Sequence, residues 1–305
     1  MSRIAFLIGL FASSLSIATN SSSAKDPPAF NIQAHRCAGL ALPENTLESC
    51  LWAWEHGVTP EVDLRITQDG KIVCFHDAKL DRVPTNADAK IKKLGVEKLT
   101  FADLQRLDVG SFRGKQYAGQ RIPLLSSILG EMRGRPDRLL YIDIKKIDLD
   151  QLASLIREFD AEKQCIFTTT HYDLMRDWKK HVPDSPTLLW NGSTEQERPN
   201  HEQVLIKKMD DLRKHDFKGI TYLQIHVFVG DLASDEPFTP RSEFLQTLGK
   251  ELKARGIVFQ VLPWECSDPR AYDKLLALGV ESFATDYPEV TLDAVRRFHE
   301  KHDKK

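Results

Sequence analysis

An α/β fold closed into a TIM (β/α)8 barrel is what this sequence predicts, on three observations. Short apolar, β-rich runs alternate with amphipathic stretches along most of the chain, the pattern of a parallel sheet crossed over by helices. Eight such runs lie within residues 31–285, which suits a closed barrel better than an open sheet. No glycine-rich turn follows the first run, so the dinucleotide-binding open sheet loses its main signature. Composition agrees: 305 residues, 41% hydrophobic and 28% charged, can bury a sizeable core. A net charge of -2 carries no basic footprint for nucleic acid. Five cysteines are too few for a disulfide scaffold, and their positions match no zinc spacing.

Residues 1–24 have the order of a secretory signal: Arg3, an apolar or small run from Ile4 to Ala18, then Ser22 and Ala24 as small residues for a peptidase. The run is short for a membrane span of about 20 residues. Cleavage is therefore expected to leave 25–305 as a single exported domain, periplasmic or secreted, with no stable membrane span. An oxidising compartment permits disulfides, and an odd cysteine count leaves their pairing open. Residues 25–29 form a linker. Strands are expected over 31–35, 59–65, 139–144, 165–169, 187–190, 219–224, 257–261 and 282–285. Helices are expected over 46–55, 123–132, 149–160, 171–180, 203–215, 241–255, 269–278 and 288–302.

Two segments interrupt the alternation. Asp69–Gly70 between β-rich runs signals a hairpin. Residues 78–122 then form an insertion, with a helix near 101–107 that Thr100 would cap. Hairpin and insertion fall between the second and third barrel strands, at the C-terminal face where barrel enzymes keep their active sites.

The chemistry-bearing residues cluster at strand ends. Glu61 and Asp63, two apart on the second strand, share one face. Unpaired buried acids are costly, and oxygen ligands suit a hard divalent cation. With a two-residue turn at Asp69–Gly70, Asp63 would lie opposite His76, Cβ atoms about 4.5–5.5 Å apart. His35 and Arg36 end the first strand, where a proton-transfer group and a planar anion clamp would be useful. Glu44 and Asn45 would hang over the same face. Pro43–Glu44–Asn45–Thr46 is equally a helix start, with Asn45 as cap and Glu48 three residues on. Asp143 and Lys145 end the third strand on one face, as a further metal ligand and a phosphate contact. No nucleophilic serine elbow accompanies them. A metal with acid–base histidines and cationic clamps matches cleavage of phosphate esters.

The segments AHRCAGLALPENT (34–46), EVDLRITQDGKIVCFHDAKLDR (61–82), YIDIK (141–145) and GVESFATDYPEV (279–290) resemble the glycerophosphodiester phosphodiesterase family. The resemblance implies hydrolysis of a small-molecule glycerophosphodiester to glycerol 3-phosphate and an alcohol. It implies His35 and His76 as acid–base pair, and Glu61, Asp63 and Asp143 as ligands of one divalent cation, Mg²⁺ or Ca²⁺. Arg36 and Lys145 become phosphate contacts, with Glu44 supporting. Three positions depart from the family's pattern: Cys37 stands for its glycine, Asp143 for its third glutamate, and Trp264–Glu265 for its Trp-Thr. Trp264 would still form an apolar wall for the alcohol. The same His/acid arrangement admits two alternatives, a sphingomyelinase D-like or lysophospholipase D-like enzyme on lipids, and a barrel that binds phosphodiesters without turnover. Residues 78–122 show no amphipathic anchor for lipid, and all the expected acids and histidines are present.

Overall fold

The computed structural model describes residues 30–302; the expected signal segment and the 25–29 linker lie outside them. Strands and helices alternate as β1 (Asn31–Ala34), α1 (Leu47–Glu55), β2 (Thr59–Ile66), then the short strand β3 (Ile72–Cys74) and the short helix α2 (Phe101–Leu104). They continue as α3 (Leu125–Met132), β4 (Leu140–Ile144), α4 (Leu149–Glu158), β5 (Cys165–Thr169), α5 (Tyr172–His181), β6 (Thr187–Asn191) and α6 (His201–Arg213). The chain ends with β7 (Tyr222–Val229), β8 (Phe238–Thr239), α7 (Ser242–Ala254), β9 (Val258–Pro263), α8 (Pro269–Ala277), β10 (Ser282–Thr285) and α9 (Pro288–His302). Eight strands pair in parallel in the order β1, β2, β4, β5, β6, β7, β9, β10. β1 closes the ring, pairing with β10 at Ala34↔Thr285 and with β2 at Gln33↔Thr59.

Residues alternate across each strand wall. On β2, Val62 and Leu64 turn outward and pack with Leu125, Ile128 and Ile142 beneath the helices, while Glu61 and Asp63 turn into the barrel. A second shell gathers Leu223, Ile225, Phe259, Val261 and Phe283 with Leu245, Leu248, Tyr272 and Leu275. Each such large side chain contributes about 1.5–3 kcal/mol when fully buried. Inside the barrel, Tyr141, Ile166 and Leu188 fill one level. A polar group of Gln33, Gln224, Gln260 and Ser282 satisfies itself, Gln224 Nε2 donating to Gln33 Oε1 (3.1 Å) and Gln260 Nε2 to Ser282 Oγ (2.8 Å).

The hairpin forms in a different register from the expected one. β2 and β3 pair antiparallel as Leu64↔Cys74 and Ile66↔Ile72, so Asp63 faces Phe75, whose N–H donates to the Asp63 carbonyl at 2.8 Å. The turn needs one more residue because Thr67 closes it, its N–H donating to the Lys71 carbonyl (2.9 Å) and its hydroxyl accepting from Lys71 N (2.8 Å). Gly70 takes the positive φ of +74° that this turn requires. Beyond β3, residues 75–122 fold around a core of their own: Phe75, Leu80, Val83, Val96, Leu104, Leu107, Val109 and Ile122. Thr100 caps α2 through a reciprocal Thr100–Asp103 pair, but the helix stops at Leu104.

Two other expectations are corrected. β7 runs to Val229 rather than 224, because its ladder with β9 continues to Val227↔Pro263 and β8 then pairs with its end. The cap of α1 is Thr46, which accepts from Ser49 N; Asn45, at φ +55°, stands outside the helix and its side chain is used elsewhere.

Candidate active site

The mouth holds a cavity of about 200 Å³. Of the residues singled out in the sequence, His35, Arg36, Glu61, Asp63, His76, Asp143, Lys145 and Trp264 all line it. Glu44 sits behind the wall, buried and gripped by arginines. A larger groove of about 640 Å³ lies between α5 and the turn before β7, lined by Tyr172, Arg176, Lys179, His215 and Lys218. No acid converges there, so the chemistry belongs to the smaller cavity.

The acids come together through strand register. Asp63 pairs with Asp143 across β2 and β4, and Glu61 stands two residues earlier on the same face. Ligand oxygens of the three lie within 4.8 Å of one another. Glu61 Oε2 accepts from the Arg36 N–H at 2.7 Å, whereas Oε1 is buried with no hydrogen-bond partner among the described residues. Burial, then the charge of Asp63, push the Glu61 carboxyl up to about 8. Asp63 behaves oppositely: burial opposes its charge, but Lys145, His76 and Asn45 outweigh it and hold its pKa below the ordinary value. Lys145 Nζ bridges Asp63 Oδ1 (2.8 Å) and Asp143 Oδ2 (2.9 Å). Burial raises the Asp143 carboxyl despite that contact. Asn45 clasps Asp63 twice, Nδ2 donating to Oδ2 (2.8 Å) and Oδ1 accepting from the backbone N–H (2.9 Å).

The loop after β1 is coiled tightly. Arg36 and Cys37 have φ of +51° and +79°. For non-glycine residues this conformation costs about 1–2 kcal/mol each. The turn is held by Cys37 N donating to the Glu61 carbonyl (2.7 Å) and Gly39 N to the His35 carbonyl (2.7 Å). Gly39 has no alternative, since a Cβ there would lie 2.3 Å from the Asp286 carbonyl oxygen. Cys37 is buried where the family pattern has glycine, its Sγ 2.7 Å from Cys50 Sγ. The coil directs Arg36 beside Glu44 (3.2 Å), while its Nε, 4.0 Å from Asp63 Oδ2, is buried and makes no hydrogen bond among the described residues.

Each histidine is anchored by a carboxylate at Nδ1. His35 meets Asp286 Oδ1 at 2.7 Å, and His76 meets Asp77 Oδ1 at 2.8 Å. Burial would lower the His35 pKa, but the Asp286 hydrogen bond, with the charge of Glu61, leaves it raised. The two anchors differ. Asp77 is shared with Arg82 (Nε–Oδ2 2.8 Å), and Arg82 forks onto Glu44 at 2.7 and 2.6 Å. His76 itself enters the cavity because the chain leaves β3 after Cys74, and Arg65 holds the His76 carbonyl at 2.6 and 3.1 Å.

Sequence reasoning missed Asp286, Arg82, His226 and Trp190. Asp286 was accessible in principle: closing the barrel puts the ends of β1 and β10 side by side, and Asp286 follows Thr285, the partner of Ala34. His226 follows Gln224 on the same face of β7, two residues past the expected end of that strand. Trp190 stacks on His226 (5.2 Å, 6°), which tilts against Trp264 (5.1 Å, 33°).

Three clustered carboxylates that could hold a cation, with two anchored histidines and a strained arginine loop, sit at the mouth of a barrel of the phosphodiester-cleaving kind. The chain belongs to the glycerophosphoryl diester phosphodiesterase family, whose model matches residues 35–290. It is 28% identical over 273 residues to a glycerophosphodiester phosphodiesterase of Caldanaerobacter subterraneus, an alignment covering 87% of this chain and 97% of that one. Its fold is similar to a glycerophosphodiester phosphodiesterase from Agrobacterium tumefaciens (TM-score 0.64, 18% identity, 86% and 99% of the chains covered). It is also similar to an Oleispira antarctica phosphodiesterase solved with the product sn-glycerol-3-phosphate (TM-score 0.61, 23% identity, 87% and 96% covered).

Proposed function

We propose that the protein hydrolyses glycerophosphodiesters to glycerol 3-phosphate and an alcohol, with His35 and His76 as acid and base beside one divalent cation, Mg²⁺ or Ca²⁺. The observation that carries this reading is the acid cluster: Glu61 Oε1 is buried with no hydrogen-bond partner among the described residues, and Glu61, Asp63 and Asp143 bring carboxylate oxygens within 4.8 Å of one another. Burying such an oxygen unpaired is costly, and a cation resolves the cost. Glu61, Asp63 and Asp143 would hold the ion, and the all-oxygen donor set suits either hard cation. When bound, it would polarise a phosphoryl oxygen and offset the charge of the three carboxylates.

The remaining roles fall to the chain's own side chains. His35, whose proton is favoured by Asp286, donates from Nε2 to the leaving alcohol. His76 takes the proton of the attacking oxygen at Nε2. Its anchor Asp77 shares its charge with Arg82, so it orients the ring. The unpartnered Arg36 Nε is a ready donor for a phosphate oxygen. Lys145 Nζ, held between Asp63 and Asp143 and lining the cavity, serves as a second cationic contact for the phosphate.

A lysophospholipase D of Homo sapiens, 26% identical with 83% of each chain covered, supports the lipid alternative. Against it, Leu40 and Ile206 alone stand out as exposed large hydrophobics among the described residues, which is too little for an acyl-chain dock. Phosphorus NMR on glycerophosphocholine, glycerophosphoethanolamine, glycerophosphoinositol and lysophosphatidylcholine, with and without EDTA, tests the reading. Glycerol 3-phosphate should appear from the water-soluble diesters and vanish with EDTA. Turnover of lysophosphatidylcholine alone, or turnover untouched by EDTA, overturns it. Export belongs to the same proposal: amino-terminal sequencing from the native host should begin near Lys25, and an intact Met1 on a cytoplasmic product would overturn that part.

A further inference from the structure

Beside the reaction cavity, at the same mouth, lies a second cavity of about 390 Å³. The two share Trp190, His226 and Trp264 as a common wall. The second is lined further by loop residues after β5 and β6 and by Phe228 near the end of β7. It belongs to the mouth and is none of the phosphate chemistry's business: no acid of the metal cluster and neither acid–base histidine reaches it.

Its lining has a definite character. Trp190, His226 and Trp264 form a continuous aromatic shelf. Burial pushes His226 down to about 3, so the ring between the indoles is neutral at physiological pH. Gly192 lets it sit there, because a Cβ on that residue would lie 2.6 Å from His226 Nδ1. Around the shelf stand Arg198, its guanidinium 4.6 Å from the Phe228 ring centroid, Lys208 and Glu197. Glu197 is occupied by Thr194, accepting from its N–H (2.9 Å) and hydroxyl (3.1 Å). Two cations against one engaged acid leave the rim positive.

Aromatic faces hold two kinds of alcohol headgroup: a quaternary ammonium, through its charge, or a ring polyol, through its C–H face. The first needs a rim that is neutral or negative. Here the sign is wrong for it, whereas Lys208 and Arg198 supply donors to hydroxyls. On these grounds we infer that the second cavity is the subsite for the leaving alcohol and that it selects a ring polyol of the cyclitol class over a quaternary ammonium. This rests on the proposed phosphodiesterase reaction and names its substrate class.

The test compares glycerophosphoinositol, glycerophosphocholine and glycerophosphoglycerol under steady-state conditions with saturating Mg²⁺ or Ca²⁺. The inositol diester should exceed the choline diester in kcat/KM by about tenfold or more. Trp190→Leu should raise KM for the inositol diester while leaving its kcat within about twofold, and should change glycerophosphoglycerol less. Arg198→Glu, at an exposed position away from the reacting groups, should shrink the inositol-over-choline ratio. Equal or reversed preference in the wild type, or a Trp190→Leu variant with unaltered KM, overturns the subsite and leaves the reaction standing. Should no diester turn over, the reaction itself is wrong. Tryptophan fluorescence of the His35→Ala protein then decides the subsite alone: saturable quenching by glycerophosphoinositol stronger than by glycerophosphocholine supports it, and equal or absent quenching overturns it.

Discussion

On one side of the barrel mouth, His35, Arg36, Glu61, Asp63, His76, Asp143 and Lys145 stand within a web of opposite charges; on the other, Trp190, His226 and Trp264 rest against each other by ring contact. The charged wall is held by partners that are themselves held: His76 to Asp77, Asp77 to Arg82, Arg82 to Glu44, Glu44 to Arg36. Removing one member leaves a neighbour buried without its counter-charge, which is costly in a low dielectric. The aromatic wall has no such dependence, since dispersion contacts are many, weak and replaceable. The difference teaches where catalysis and selectivity should part: changes on the charged wall should strike kcat, and changes on the aromatic wall should strike KM.

The largest effect expected on that division is from the histidines. His35→Ala and His76→Ala should each lower kcat by roughly 10²–10⁴-fold with an unchanged circular dichroism spectrum. Trp264→Leu, across the mouth, should move kcat by less than about tenfold, a barrier change of about 1.4 kcal/mol. A Trp264→Leu loss as deep as the histidine losses would break the comparison.

Next in size is the acid cluster. Asp63→Asn keeps the shape but removes a charge that Lys145 and Asn45 are built around. It should weaken activity by at least about 10²-fold and require more Mg²⁺ or Ca²⁺ for half-maximal rate. Asp143→Glu restores the family-like acid and should retain substantial activity. A metal titration after chelation separates the outcomes: chelated wild type that stays fully active, matched by Asp63→Asn, refutes the metal role.

A smaller effect is expected at the anchor of the acid. The Asp286 hydrogen bond raises the His35 pKa against the opposing pull of burial. With His35 as proton donor, activity is present below that raised pKa and falls as pH rises through it. Asp286→Asn lowers the pKa, so the basic limb of the kcat profile should move to lower pH. An unmoved limb with reduced kcat would assign Asp286 to positioning alone.

The smallest effect is expected at Cys37. Its positive φ costs about 1–2 kcal/mol, and Cys37→Gly relieves that while removing a small buried side chain worth about 1 kcal/mol. The opposing terms should leave stability to urea within about 1 kcal/mol of wild type. A larger loss would show that the contact with Cys50 matters more to the loop than its backbone strain.

Much of this was legible along the chain, and the reason is local. Period-two and helical patterning mark the barrel because each element buries one face, and that demand is written in every few residues. The same logic put Glu61 and Asp63 on one face and His35 at the end of a strand. Where the reading slipped, the deciding contacts were invisible locally. Thr67 closing the hairpin moved the register by one, so His76 reaches the cavity by leaving the sheet, with Arg65 holding its carbonyl, and not by facing Asp63 across a ladder. Asn45 exchanged a capping role for Asp63, 18 residues away.

By itself, then, the sequence determined the barrel and the strand-end placement of the acids and of His35, because alternation and spacing act within one element. Only the tertiary structure decided who steadies them. Asp286 reaches His35 across 251 residues because the barrel closes, and Arg82 reaches Glu44 across 38 because the insertion folds back on its own core. It also decided that His226, on an extended β7, sits between two indoles contributed by strand ends far apart in the chain. Such partnerships follow from ring closure and packing, which no spacing within a single segment encodes.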